Sequence, residues 1–223
     1  MKAFTAIIID DHPIITDSYQ AAIEEYFSSG TVEPKILVLN DLDSALDQIN
    51  NSKIFMAADL IFLDIQLPPS RDNRMISGED LGLKIRKKNS PAKIVLSTSL
   101  NENYRIYSLL KNINPEGFLI KTDINRHELL IALDKVISTP PYYSKTVLQL
   151  LRKHISSDFV LDANDRRILF ELSIGTKLKD LQNIIPLSLS GVEKKRRNLK
   201  ILFEVEEEGD RSLVLKAREK GFL

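Results

Sequence analysis

Short apolar runs that end in a polar residue recur along the first 120 positions, with amphipathic stretches between them. Ala6-Ile7-Ile8-Ile9 ends in Asp10-Asp11, and Ile36-Leu37-Val38-Leu39 follows. Ile61-Phe62-Leu63 ends in Asp64, with Pro68 terminating regular structure soon after. Ile94-Val95-Leu96 leads into Ser97-Thr98-Ser99, and Gly117-Phe118-Leu119-Ile120 into Lys121. Runs apolar at every position suit strands buried on both faces, as in a parallel sheet. Between them, helical periodicity is expected over 43–52, 79–88, 103–112 and 125–137. Another helix opens at His12-Pro13, proline suiting a first helical position, with Ile14, Ala21, Ala22, Ile23 and Phe27 as its expected buried stripe. This alternation predicts an α/β unit over 1–138 with helices on both faces of the sheet.

The pattern changes after Ser138. Pro140-Pro141 closes the last of these helices, and 139–160 is expected to be a linker. Within it, Val147, Leu148, Leu150 and Leu151 form a short helix that packs on either flanking domain, and Ser156-Ser157-Asp158 is the expected flexible joint. Residues 161–223 are all helical. Asp162 with Asp165 caps a helix to about Ile174, which Gly175 ends. Leu178–Ile185 is a short helix that Pro186 stops. Ser188 caps a helix to about Val205, and a last one covers Ser212–Lys220 before Gly221. A short helix, tight turn and longer capped helix predict a helix-turn-helix.

Composition removes several classes of function. The chain has 223 residues, balanced acids and bases, and no cysteine. Disulfide frameworks, thiolate zinc sites and thiol nucleophiles are thereby excluded. The amino-terminal apolar run is too short for a signal peptide and no span approaches membrane length, so a soluble, cytoplasmic protein is expected. Net neutrality hides an asymmetry: residues 1–138 carry 15 Lys and Arg against 19 Asp and Glu, whereas Lys194-Lys195-Arg196-Arg197-Asn198-Leu199-Lys200 is the densest basic run. On a helix of a helix-turn-helix, that run supplies the charge a DNA groove requires. A solvated basic face is the simpler alternative.

The polar strand ends carry the candidate chemistry. In open α/β sheets, ligands collect at the carboxyl edge of the strands. If the strands take the doubly wound order 2-1-3-4-5, the first and third are neighbours, and Asp10, Asp11 and Asp64 converge. Two carboxylates ~4 Å apart repel by about 4 kcal/mol at a surface-like dielectric, so three demand a cation. An all-oxygen site suits Mg²⁺. Beside that ion Asp64 can act as a nucleophile towards a phosphoryl group, with Ser97 and Lys121 as hydrogen-bond donors to its oxygens. Each residue has a plainer reading: Asp10 and Asp11 as helix-capping acids, Ser97 as a cap, Phe118 as a core aromatic, Lys121 as a solvated strand end. An aspartate-dependent phosphatase is disfavoured because Gln66 stands where its general acid belongs, and no enzyme activity is expected. His12, His127 and His154 are too scattered for a metal pair.

The set Ile8-Ile9-Asp10-Asp11-His12-Pro13, Leu63-Asp64-Ile65-Gln66-Leu67-Pro68, Ser97 and Gly117-Phe118-Leu119-Ile120-Lys121 resembles the receiver domain of bacterial response regulators. The resemblance implies a (βα)5 doubly wound parallel sheet of order 2-1-3-4-5 and phosphorylation of Asp64 by a sensor histidine kinase. It also implies Mg²⁺ held by Asp10, Asp11, Asp64 and the Gln66 backbone carbonyl, with Ser97, Lys121 and the aromatic Phe118 transmitting the change. Residues Pro69–Ile76, before Ser77-Gly78, are longer than the turn usual in that family. Residues 161–223 resemble, more loosely, the LuxR-type helix-turn-helix, through Gly175, Lys179, Asp180, Leu181, Ser188, Val192, Asn198, Val205 and Gly221. That match implies double-stranded DNA as partner, with contacts from Lys179, Ser188, Lys194, Lys195 and Arg197. Glu193, Gly191 and the acidic Glu206-Glu207-Glu208 depart from the pattern. Together the resemblances imply a two-component transcriptional regulator, a homodimer when active, without a membrane partner. The alternative is a phosphorylation-gated adaptor whose carboxyl-terminal domain contacts protein.

Overall fold

The computed structural model describes residues 4–88, 91–99, 103–153 and 161–223. They form two compact units, Met1–Asn101 with Ile113–Arg152, and Glu102–Asn112 with Lys153–Leu223. The expected joint at Ser156-Ser157-Asp158 lies outside the described residues.

The first unit is built on β1 (Thr5–Ile9), β2 (Lys35–Leu39), β3 (Leu60–Asp64), β4 (Lys93–Thr98), β5 (Gly117–Ile120) and β6 (Tyr142–Tyr143). Its helices are α1 (Pro13–Phe27), α2 (Leu42–Asn51), a single-turn α3 (Ile54–Ala57), α4 (Gly78–Lys87), α6 (Arg126–Ser138) and α7 (Lys145–Lys153), whereas α5 (Asn103–Ile113), expected within the 1–138 unit, groups with the second unit. Strand order is β2-β1-β3-β4-β5-β6. Every pairing is parallel, with Ile9 opposite Leu63 and Asp64 opposite Ser97. The expected order of the first five strands is thus observed. One face buries Ala6, Ile8, Phe62, Val95 and Leu119 against Tyr19, Ala22 and Ile23 of α1 and Leu129, Leu133 and Val136 of α6.

Three local features depart from expectation or add to it. Helix α1 buries Thr16, Tyr19, Ala22 and Ile23, leaving Ile14 80% exposed and Ala21 exposed. Spacing alone allowed two overlapping stripes, and the stripe that includes polar Thr16 and Tyr19 is the one facing the sheet. Secondly, the stretch read as linker contributes a sixth strand. Its backbone bonds run from Tyr142 N to Glu116 O and from Ser144 N to Phe118 O, both 2.9 Å. Asp123 then accepts bonds from the Ser144 and Thr146 side chains and the Thr146 amide, fixing the start of α7. A two-residue strand is too short to show periodicity. Thirdly, the long turn after β3 closes on itself: Ser70, 2% exposed, pairs with Met75 through backbone and hydroxyl, and its hydroxyl also donates to Asp72. At the end of that turn, a Cβ on Gly78 would lie 1.9 Å from the backbone oxygen of Asp64. Only glycine fits there.

The second unit carries α8 (Ala163–Ser173), a 3-10 helix (Leu178–Asn183), α9 (Leu189–Leu202) and α10 (Asp210–Glu219). Leu161, Ile168, Leu169, Leu181, Val192, Leu199, Phe203, Leu213, Ala217 and Phe222 form its core. The expected capping box is present: the Asp162 side chain accepts from Asp165 N, and Asp165 accepts from Asp162 N. Ser188 caps α9 through Gly191 N. Two expectations are corrected. The short helix, of 3-10 type, ends at Asn183 instead of Ile185, and α9 stops at Leu202 instead of Val205. The stop is a C-terminal motif in which Val205 N bonds to Lys200 O and Glu204 N to Ile201 O, with Glu204 at φ +60°. The same pattern with Gly175 at φ +88° ends α8, as its glycine predicted. A glutamate in that role gives no sequence signal.

Candidate functional site

The carboxyl ends of β1, β3, β4 and β5 bring together the residues the sequence singled out there. Asp10 follows β1 and Asp64 ends the adjacent β3; both are 1% exposed. Lys121 follows β5 and reaches across to them. Its Nζ lies 2.8 Å from Asp64 Oδ2, 3.0 Å from Asp10 Oδ1 and 2.9 Å from Asp10 Oδ2. Asp64 Oδ1 accepts the Gln66 amide at 2.9 Å. Asp11 remains partly open to solvent. Ligand atoms from Asp10, Asp11, Asp64 and His12 all lie within 4.8 Å of one another.

Burial sets the electrostatics. Desolvation pushes the Asp64 carboxyl above its ordinary range, and the bonds from Lys121 and the Gln66 amide offset only part of that. Burial by itself would lower the Lys121 ammonium, but its bonds to Asp64 and Asp10 outweigh it and hold the ammonium above its usual value. Three carboxylates against one ammonium leave two formal negative charges in a cluster rich in hard oxygen donors. That donor set fits a divalent ion of the Mg²⁺ type.

Ser97 and Phe118 are both fully buried. Ser97 sits opposite Asp64 in the β3–β4 pairing, and Phe118 lies on β5 opposite Leu96. Three contacts had no counterpart in the sequence reading. The Tyr19 hydroxyl is 2.6 Å from Ser97 Oγ. The Gln66 side chain accepts from Thr98 Oγ1 and from Ser99 N. His12 Nδ1 is 2.8 Å from Asp11 Oδ1 and 3.2 Å from Asp10 Oδ1, while the His12 amide donates to Asp10. The histidine adjoins the acids in sequence, which was its signal; Tyr19 is 78 residues from Ser97 and had none.

In the second unit, Lys179, Lys194 and Arg197 are exposed, as is Ser188 at the start of α9. Lys195 is differently placed. Its Nζ lies 2.7 Å from Asp162 and 2.8 Å from Asp165, so its charge is engaged by the capping box of α8. Arg196 pairs with Asp210 at 2.6 Å. Of the basic run, Lys194 and Arg197 are the residues that present their charge to solvent.

No protein-family model matches the chain. The transcriptional regulatory protein MctR of Rhizobium johnstonii is 22% identical over 197 residues, 87% of this chain and 84% of that protein. Among solved structures, the RcsB response regulator of Salmonella typhimurium is similar with a TM-score of 0.57 at 19% identity, over 98% of this chain and 99% of that one. RcsB of Salmonella enterica serovar Typhimurium, bound to promoter rprA in the presence of the phosphomimetic BeF3-, gives a TM-score of 0.63 at 18% identity, covering 96% and 98%. The isolated REC domain of the same regulator gives 0.53 at 20% identity, over 67% of this chain and 99% of that one. These likenesses show the fold: a receiver-type parallel α/β unit and a helical helix-turn-helix unit in one chain.

Proposed function

We propose that this chain is a response regulator of a two-component system, in which phosphorylation of Asp64 by a sensor histidine kinase controls dimerisation and binding to double-stranded DNA. The observation that carries the reading is Lys121 bridging Asp10 and Asp64 at neighbouring strand ends, in a chain that also holds a helix-turn-helix. Whole-length similarity to a transcriptional regulator and to DNA-bound RcsB supports it.

Asp10, Asp11 and Asp64, with the Gln66 backbone carbonyl, would hold Mg²⁺. The ion, when bound, supplies positive charge to the oxygens of the transferring phosphoryl group. The residues of the chain do the rest. A carboxylate oxygen of Asp64 attacks phosphorus as the bond to the donor nitrogen breaks and the imidazole leaves with the electron pair. Lys121, already against Asp64, donates to a phosphoryl oxygen, and Ser97 donates to another. Movement of Ser97 and of the Phe118 ring then alters the β4–β5 surface. In the second unit, Lys179, Lys194 and Arg197, with Ser188 at the helix start, contact the DNA. Lys195 contributes to that surface only if it leaves Asp162 and Asp165.

The test is enrichment of fragmented genomic DNA by the full chain, with and without Mg²⁺ and a small-molecule phosphodonor, alongside Asp64→Ala. Discrete fragments enriched more strongly with phosphodonor, and only when Asp64 is present, are the expected result. Equal enrichment by both proteins would sink phosphorylation control. No enrichment at all would favour the adaptor reading, to which the engagement of Lys195 and Arg196 by acids lends support.

A further inference from the structure

The Tyr19–Ser97 contact is a feature that the phosphorylation scheme does not use. Tyr19 lies in α1, 1% exposed, its ring stacked on Phe62 with centroids 4.4 Å apart and planes 14° apart. Phe62 is two residues before Asp64 on the same face of β3, so Tyr19 lies directly beneath the acidic pocket. Its hydroxyl and that of Ser97 are 2.6 Å apart, both buried, and this is the side-chain hydrogen bond described for either.

The direction of the bond follows from acidity. A phenol is a far stronger acid than an aliphatic alcohol, so it is the better donor, and the alcohol oxygen is the better acceptor. Burial pushes the Tyr19 phenol well above its ordinary range, the Ser97 bond opposes this, and the fields of Asp10 and Asp64 add to it. The phenol therefore remains protonated and able to donate. With Tyr19 donating, the Ser97 oxygen is used as an acceptor and its proton stays available. The negative potential of Asp10 and Asp64 turns that proton towards the pocket.

We propose that Tyr19 is a positioning residue for the phosphoryl site: its hydroxyl donates to Ser97 and so aims the Ser97 proton at the phosphoryl oxygen on Asp64. A donor polarised by a second hydrogen bond is stronger than an isolated one, and a fixed rotamer costs nothing further at the moment of binding. The proposal rests on Asp64 being the phosphoacceptor.

The test is a double-mutant cycle of Tyr19→Phe and Ser97→Ala in the full chain, with beryllofluoride and Mg²⁺ as the phosphoryl mimic and fluorine NMR to measure affinity. Tyr19→Phe keeps the ring and its stacking on Phe62, and circular dichroism monitors folding. In the presence of Ser97, loss of the hydroxyl is expected to weaken beryllofluoride binding about three- to tenfold, the effect of one hydrogen bond. In the Ser97→Ala background it is expected to have no further effect. Equal affinity of wild type and Tyr19→Phe would overturn the proposal. Equal weakening in both backgrounds would overturn it too, because Tyr19 would then act through packing and not through Ser97. Unfolding of Tyr19→Phe at 25 °C would assign the hydroxyl a structural role and likewise overturn it. Failure of the wild-type protein to bind beryllofluoride, or undiminished binding by Asp64→Ala, would instead overturn the phosphoacceptor reading.

Discussion

Replacing Lys121 by methionine removes the ammonium that lies between two buried carboxylates and keeps most of the side-chain volume. Lys121 Nζ is within 3.0 Å of both Asp10 and Asp64, whose side chains are at most 1% exposed. Deleting one partner of a buried ion pair costs about 3–5 kcal/mol, because the other charge is left uncompensated. With a urea slope of about 2 kcal/mol per molar for a unit of this size, the lower figure moves the unfolding midpoint down by roughly 1.5 M at pH 7. The pH dependence has a definite sign. Lys121 has its pKa raised on folding, so its contribution is complete below the unfolded lysine value and is lost only as pH rises through the folded one. Asp64 also has its pKa raised, mainly by burial; between the unfolded and folded values the native state holds the extra proton, and stability falls as pH rises through that window. Without Lys121 that window extends higher. The Lys121→Met protein should therefore regain stability relative to wild type as pH falls from 7 towards 5, and added Mg²⁺ should narrow the gap at pH 7. Urea unfolding of both proteins by circular dichroism, with and without Mg²⁺, measures this. An unchanged midpoint at pH 7, or a gap that widens on acidification, would refute the reasoning.

Gly78→Ala should lose about 3 kcal/mol or more in urea unfolding, since the added Cβ meets the Asp64 backbone oxygen at 1.9 Å and must displace β3; an alanine variant as stable as wild type would contradict the close approach. Asp162→Ala removes the cap of α8 and should lower stability by about 1 kcal/mol, read as a drop in thermal midpoint of the full chain. The same substitution loosens Lys195, so duplex affinity at fixed salt should be unchanged or higher, and a loss would argue against Lys195 being withheld from DNA. Lys194→Ala with Arg197→Ala should reduce the slope of log affinity against log salt by about 2 units on duplex DNA, one per phosphate contact; an unaltered slope would remove both from the interface.

The apolar runs with polar ends were enough to read the parallel sheet. Buried parallel strands need apolar side chains on both faces, and the few polar residues tolerated are those at the ligand-collecting edge. Asp10, Asp64, Ser97 and Lys121 were legible for that reason. The capping pair Asp162 and Asp165 and the terminating Gly175 were legible because caps act over three or four residues, a local rule. Other features depended on contacts between distant segments. Helix α1 offered two overlapping apolar stripes, and only packing against Phe62 and Leu129 chose the one with Tyr19 and left Ile14 in solvent. Strand β6 exists because Glu116 and Phe118 present free carbonyls to Tyr142 and Ser144, a pairing that two residues cannot announce. Lys195 belonged to a basic run by sequence, yet the fold set it against the acids that cap another helix. Sequence by itself therefore determined the first five strands, the caps and the identity of the acidic pocket, since those follow from side-chain polarity and short-range hydrogen bonding. Tertiary structure decided which helix face is buried, which lysine keeps its charge for a partner, and that a tyrosine from α1 bonds Ser97, because each turns on a distance across the fold.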